Sequence, residues 1–327
     1  MTSYFLNIVL SIFVLDRRYA HFSIFSVLTT FLWILYSQPV LDLKTYTMYF
    51  AEDYGFEFGY EIFSYLIYLV TTNKVVGMKL SQCLAFILGV SLLFIFTRQK
   101  QGMRQFSIVL VLFVNSIFFK MGNFNVFRQY IACIIAIGAI GSFRQWKVIS
   151  WIYLASLFHK TSILFVVNKI YDKLPGKKLK LFITLIFVIL TVGSIEILIS
   201  ASKYAFYIEI GQFDGRASAI SRLIPVLIFS CSCFYLQRRI KVNFGYDSLF
   251  ISIFNFQIVL LFLIVALSFN PIFNEIQSRF IFFYYFVSLV LYSRAMCVMF
   301  SAQFFIWFIV FNSVYPPAVS ISTGNML

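Results

Sequence analysis

Arg128 stands at the mouth of a long apolar run, in Asn123-Phe124-Asn125-Val126-Phe127-Arg128-Gln129-Tyr130. A charge in the first turn of a membrane span is costly unless it is paired or faces a wet cavity. One reading is a side chain that snorkels to headgroups. The other is a guanidinium that binds a phosphate bidentately, with Gln129 beside it. A second ionisable group, Phe158-His159-Lys160-Thr161-Ser162, lies in the middle of another apolar block. A histidine there either hydrogen-bonds as part of the structure or works as an acid or base. Asp42, Tyr46, Tyr49 and Asp53 are spaced 4, 3 and 4, so a helix would put them on one face. Two carboxylates and two phenols suit a sugar, through hydroxyl hydrogen bonds and ring stacking. Glu57-Phe58-Gly59-Tyr60-Glu61 follows, with a glycine that permits a close approach. Arg216, Arg222 and Arg279 lie beside the ends of further apolar blocks.

These residues need an apolar framework, and the composition supplies one. The chain has 327 residues, of which 61% are hydrophobic and only 12% charged. Soluble domains are about 45–50% apolar and about 25% charged. An ordinary soluble enzyme, a disordered chain and a disulfide scaffold are excluded. Apolar blocks recur along the whole length, and a span needs about 20 such residues. The expected fold is an all-α polytopic integral membrane protein with about 10–12 transmembrane helices. It forms one multi-spanning domain over residues 1–327, with no separate soluble domain. The stretch 58–71 reads as an outer amphipathic helix at the interface or a re-entrant segment, with Ile62, Tyr65, Leu66 and Leu69 at helical spacing. Pro225 opens its block, where a first-turn proline is tolerated.

The net charge of +14 is explained by the positive-inside rule rather than by nucleic acid. The basic clusters are Arg17/Arg18, Arg98/Lys100/Arg104, Arg144/Lys147, Lys169/Lys173/Lys177/Lys178/Lys180 and Arg238/Arg239/Lys241. Assigning all of them to the cytoplasm lets the blocks alternate everywhere but one. Arg144/Lys147 and the Lys169–Lys180 loop both belong inside, yet the block 148–167 lies between them. A re-entrant hairpin or a pair of half-helices around 148–170 satisfies the rule, with its turn at His159 and Lys160. Broken backbone at membrane depth is tolerated where it lines a cavity or is buried in protein, and discontinuous helices mark transporter sites. The outer side then receives the segments 38–57, 120–125, 201–222 and 270–279.

Several chemistries have no support. There is no P-loop, G-x-G-x-x-G, H-E-x-x-H or G-x-S-x-G. Two histidines and five cysteines, all five in apolar blocks, suggest neither a metal site nor a cofactor.

The order of these elements resembles the EpsG-like family of polysaccharide polymerases, which are related in role to the Wzy O-antigen polymerases. The resemblance runs over roughly residues 40–290. It is carried by Asp42-x3-Tyr46, Glu57-Phe-Gly-Tyr60, Phe127-Arg128-Gln129, Phe158-His159-Lys-Thr-Ser162 and Ser278-Arg279-Phe. The family has an Arg and a Gly just ahead of the first element; here Gln38-Pro39-Val40-Leu41 stands instead. The resemblance implies a bacterial inner-membrane enzyme whose site faces the periplasm. Its donor and acceptor would be glycans on undecaprenyl diphosphate, joined by glycosyl transfer without metal or cofactor. A chain-length regulator and a flippase would be partners, along with membrane lipids and no nucleic acid. Read in these terms, Arg128 and Arg279, with Arg216, Arg222 and Lys160, would stabilise the departing diphosphate. Either His159 or Asp42 would take the acceptor proton, and the sequence does not choose. Tyr46, Glu57, Gly59, Tyr60, Gln129 and Ser162 would bind or position sugars. The competing readings are a lipid-linked oligosaccharide flippase or transporter and a membrane-bound O-acyltransferase.

Overall fold

The computed structural model describes residues 19–37, 42–97, 103–124, 126–141, 144–166, 173, 176–200, 216–244, 248–269 and 273–322. The first apolar run, the Arg17/Arg18 pair, Lys169 and most of the 201–222 segment lie outside them. Helices α1 (Tyr19–Tyr36), α2 (Asp42–Met48), α3 (Phe58–Thr71), α4 (Lys74–Thr97), α5 (Met103–Asn115), α6 (Ile117–Phe124), α7 (Phe127–Gly141) and α8 (Gln145–Phe158) come first. A 3₁₀ turn, Lys160–Leu164, follows α8. Then come α9 (Lys177–Ser200), α10 (Arg216–Phe244), α11 (Ser248–Leu267), α12 (Asn274–Val298) and α13 (Ala302–Ser322). The described residues contain no strand, so the protein is an all-α polytopic membrane protein.

Among the described residues, four helices are long and apolar enough to cross a hydrocarbon core: Lys74–Phe96, Arg222–Lys241, Leu249–Leu267 and Ile276–Val298. The pair Met103–Asn115 and Ile117–Phe124, bent by 59°, meets the same measure only when taken together, as a broken span or a re-entrant loop. Five shorter apolar helices accompany them, at Ser23–Tyr36, Phe58–Thr71, Phe127–Ile140, Phe182–Gly193 and Ala302–Asn312.

The chain forms two compact units. The first holds residues 1–166 and 292–314, and the second holds 167–291 and 315–327. In the first, α7 and α8 form a closely packed helical hairpin. A Cβ on Gly138 would lie 2.3 Å from the Trp151 ring, so the absence of a side chain sets that approach. Helix α4 packs on α7, α3 and α5. Its start is capped by the Asn73 side chain, whose Oδ1 accepts from the Val75 and Val76 amides at 2.9 and 3.1 Å. Lys79 on α4 donates to the Ile34 carbonyl at 2.7 Å and so closes the carboxyl end of α1.

The break between α5 and α6 falls at Ser116. The segment 120–125, expected as an outer loop, is mostly helical, and the bend lies ahead of it at Ser116. Its exposed backbone groups are satisfied locally and from afar. Ser116 Oγ accepts from the Phe119 amide at 3.1 Å, and Asn312 Oδ1 on α13 accepts from the Ile117 amide at 2.9 Å. Lys120, almost fully enclosed, donates to the Asn312 carbonyl at 3.1 Å. Such re-satisfaction is what permits a broken helix in an apolar medium.

In the second unit, α11 packs against α9 and α10. A polar knot ties α10, α11 and α12: Tyr284 Oη donates to the Val226 carbonyl at 2.9 Å, and Gln257 Nε2 donates to Tyr284 Oη and Ser288 Oγ at 3.1 and 2.8 Å. Pro225 does not open its helix, as the block boundary suggested. Helix α10 begins nine residues earlier, at Arg216, and the proline is internal. Neighbouring helices make this tolerable in a membrane protein.

Replacing Asn312 with Ala should leave the enclosed Ile117 amide without its acceptor and cost about 1–3 kcal/mol. The measurement is thermal unfolding of the detergent-solubilised chain. An unchanged Tm would show that the break is held by other contacts.

Candidate functional site

The site is built where α3 begins. Helix α2 ends at Met48, and the chain then folds back through Ala51 at φ 62° and Gly55 at φ 78°. Left-handed backbone is disfavoured for a residue with a Cβ, so Ala51 carries a local cost, whereas Gly55 suits its position. The reason for the turn is packing. Phe50 is fully buried, and its ring fills the notch left by Gly77, whose added Cβ would meet it at 2.6 Å. The expected helical face of Asp42, Tyr46, Tyr49 and Asp53 is therefore broken after Met48. Tyr49 instead stacks on Tyr54, with centroids 3.9 Å apart, and Asp53 is exposed.

The return of the chain brings Phe56 and Glu57 to Arg128. The Arg128 guanidinium lies 4.4 Å from the Phe56 ring centroid and 5.3 Å from that of Tyr46. It pairs with the Glu57 carboxylate, and both side chains are largely enclosed, at 19% and 16% exposure. The guanidinium also makes a hydrogen bond to the Tyr46 side chain. Its Nε is buried and has no hydrogen-bond partner. Arg128 thus does not snorkel outward. Tyr60 closes the box, with its ring 5.5 Å from Phe56 and 5.8 Å from Tyr46. Its hydroxyl reaches the Met78 sulfur on α4 at 3.9 Å. Burial pushes the Tyr60 phenol far above its ordinary range; Tyr46 adds to this and Arg128 opposes it. The phenol stays neutral and keeps its proton to donate.

Gly59 has a positional role. A Cβ there would meet the Cβ, carbonyl carbon and carbonyl oxygen of Leu157 at 2.8–2.9 Å. Helix α3 can therefore lie directly on the end of α8, and Phe63 meets Phe158 edge-on at 6.0 Å. Two residues beyond Leu157 the helix breaks, at His159, at the turn expected from the sequence. His159 is extended, at φ −159° and ψ 118°, and the 3₁₀ turn follows. Its Nδ1 lies 2.6 Å from Thr161 Oγ1. Its carbonyl accepts from the Ser162 amide at 3.0 Å and from Ser162 Oγ at 2.8 Å. Ser162 is buried, and Lys160 is exposed.

The structure therefore joins Tyr46, Glu57, Tyr60 and Arg128 directly, and Gly59 brings the end of α8 beside them. Gln129 is buried on α7. Asp42 opens α2 and Arg216 opens α10, with both side chains outside the described set. Arg222 and Arg279 belong to the second unit. Each is half-buried in the second turn of its helix, α10 or α12, rather than in the loops expected at 201–222 and 270–279.

Sequence reasoning missed Phe56, although the turn glycine before it was a signal. It also missed a buried polar layer one helical turn along α4 from Met78. Gln82 Nε2 donates to the Asn123 carbonyl at 2.6 Å, and Asn123 and Tyr130 are both buried. The arrangement can do two things. It offers the half-buried Phe56 ring, backed by the fully buried Tyr60, to a sugar, and a pre-oriented guanidinium to an oxyanion.

Glu57→Met should destabilise the chain by about 3 kcal/mol, because it strands an enclosed guanidinium. Adding Arg128→Met should recover most of that loss. Thermal unfolding of the two variants in detergent checks the coupling; equal losses in both would mean that the pair is not what holds the box.

No curated protein sequence and no solved structure matches the chain. A family model does, over residues 5–322, which is nearly the whole length and takes in every residue of the box. The chain belongs to the EpsG family, and that membership supports a polysaccharide polymerase-like role for it.

Proposed function

We propose that this protein is an O-antigen or exopolysaccharide polymerase of the bacterial inner membrane. It joins oligosaccharide repeat units carried on undecaprenyl diphosphate by glycosyl transfer at the periplasmic face. The observation that supports this most directly is the state of Arg128. Its guanidinium is fixed between two rings and a carboxylate, at the start of an apolar helix, with one N–H still uncommitted.

A lipid diphosphate is already a leaving group, so the protein's task is to receive charge and to orient two sugars. As the glycosidic carbon leaves the diphosphate, negative charge grows on the phosphate oxygens. A guanidinium held in place stabilises that charge without reorganising at the moment of reaction. Glu57 keeps the enclosed cation neutralised until substrate arrives, and then exchanges with a phosphate oxygen. Lys160, in the same unit, is a further candidate for holding the diphosphate. Tyr46, Phe56 and Tyr60 would stack on and hydrogen-bond the sugar next to it. His159 and Ser162, at the broken end of α8, would order the opposite side of the acceptor. The reaction as drawn needs no metal ion. A chain-length regulator and a flippase would act on the same lipid-linked pool.

Arg128→Lys tests the reading. It keeps a counter-charge for Glu57 but loses the planar fork and the ring stacking. Turnover should fall by roughly 10²–10³-fold, while the chain still accumulates in the membrane. In cells this reads as surface glycan one repeat unit long instead of a ladder. Full-length ladders from Arg128→Lys would remove the guanidinium from the mechanism. A deletion strain with no repeat unit at the surface at all would favour a flippase.

A further inference from the structure

Helix α3 is polar on its enclosed side. Glu57, Tyr60, Glu61 and Ser64 recur at i, i+3, i+4 and i+7, whereas Phe58, Ile62, Tyr65, Leu66, Leu69 and Val70 are exposed on the other side. Glu57 is used by Arg128. Glu61 stands one turn further along, roughly 6 Å from it by helix geometry, and is half-buried. One of its carboxylate oxygens, Oε1, is fully enclosed and has no hydrogen-bond partner. The Ser64 hydroxyl in the next turn donates at 2.9 Å to the Glu61 backbone carbonyl, not to its carboxylate.

The other acidic residues whose side chains are described are accounted for. Glu52 pairs with Lys74, Glu57 pairs with Arg128, and Asp53 is exposed to solvent. Glu61 is the one whose carboxylate carries an enclosed oxygen with no donor. Buried polar atoms are nearly always hydrogen-bonded, and an exception calls for a reason. An enclosed carboxylate oxygen that receives no hydrogen bond adds little to the structure and leaves an acceptor position open. Tyr60, between the two glutamates in sequence, forms a wall of the Arg128 box. The carboxylate that holds the Arg128 cation and the carboxylate with the unpartnered oxygen are thus one turn apart at the start of α3.

We propose that Glu61 is the general base of the transfer. Its carboxylate accepts a hydrogen bond from the attacking hydroxyl of the acceptor sugar and takes that proton. The hydroxyl oxygen bonds to the anomeric carbon of the donor as the bond from that carbon to the diphosphate oxygen breaks. The electron pair leaves with the diphosphate, whose added charge falls to Arg128. This assignment rests on the polymerase reading and gives to Glu61 the role that the sequence left between His159 and Asp42.

The test uses the full chain, purified in detergent, with a synthetic repeat unit on a prenyl diphosphate as donor and acceptor. Glu61→Gln keeps the shape and an acceptor oxygen but cannot take a proton. Its kcat should fall by roughly 10²–10⁴-fold, with KM within about threefold of the parent value. Glu61→Asp should retain a measurable part of the activity. Because the substitution removes an uncompensated charge, the Tm of Glu61→Gln should equal or exceed that of the parent. Turnover of Glu61→Gln within about threefold of the parent would overturn the assignment. So would a rise in KM alone, which would make Glu61 a binding contact. A lowered Tm alongside lost activity would also overturn it, by making Glu61 structural. If the parent chain transfers no glycan from this substrate, the polymerase reading falls and this assignment with it. If the parent polymerises and Glu61→Gln does too, only this assignment falls.

Discussion

A guanidinium at the first turn of an otherwise apolar helix needs a counter-charge, and the first unit is arranged around meeting that need. Arg128 is followed on α7 by residues that are almost all buried and apolar. Glu57 answers its charge from 71 positions away in the chain. To reach it, the chain must leave α2, reverse through Ala51 and Gly55, and enter α3 at the right height. Each step depends on a missing side chain or on an unusual torsion. Gly77 receives Phe50, Gly55 provides a positive φ, and Gly59 lets α3 lie on Leu157. Arg128 is an electrostatic requirement that fixes a backbone path.

The helix that carries Arg128 lies between two breaks in sequence. On one side α5 gives way to α6 at Ser116; on the other, beyond α7, helix α8 stops at Phe158. Both breaks expose backbone groups in a setting with little water. Ser116 and Asn312 meet the first, and Ser162 with the His159 backbone meets the second. Continuous helices would satisfy their own backbone and offer nothing to a polar ligand. Broken ones bring N–H groups, carbonyls and polar side chains into the interior together, which is where Lys120, Asn123 and Ser162 are found. The breaks and the charged pair therefore serve one end, a polar interior inside an apolar shell.

How far this was legible in the sequence depended on the range of the interaction. The break at His159 could be read because the positive-inside rule counts charges on both sides of a block, and the block 148–167 had cations at both ends. The break at Ser116 could not. No charge imbalance marked it, and its cap comes from Asn312, 195 positions away. Arg128, Glu57, Tyr46 and Tyr60 were each identified from their types, but the pairing of Arg128 with Glu57 is a tertiary fact. The face predicted for Asp42, Tyr46, Tyr49 and Asp53 assumed that a period of 3.6 would continue. It failed because burying Phe50 against Gly77 outweighed the local preference for helix.

Helix α3 shows how the solvent changes the meaning of a pattern. Ile62, Tyr65, Leu66 and Leu69 do form one stripe, as their spacing indicates. In a soluble protein that stripe would face the core. Here it is the exposed side, and the enclosed side carries Glu57, Tyr60, Glu61 and Ser64. The reason is that lipid tails are as apolar as leucine, so nothing drives an apolar stripe inward. What gains from enclosure is the polar set, because Glu57, Tyr60 and Ser64 find partners there and would find none in lipid. Amphipathic spacing in such a chain locates the face of a helix that lies opposite the chemistry. The residues that interrupt the stripe, rather than those that form it, are the ones to follow into the site.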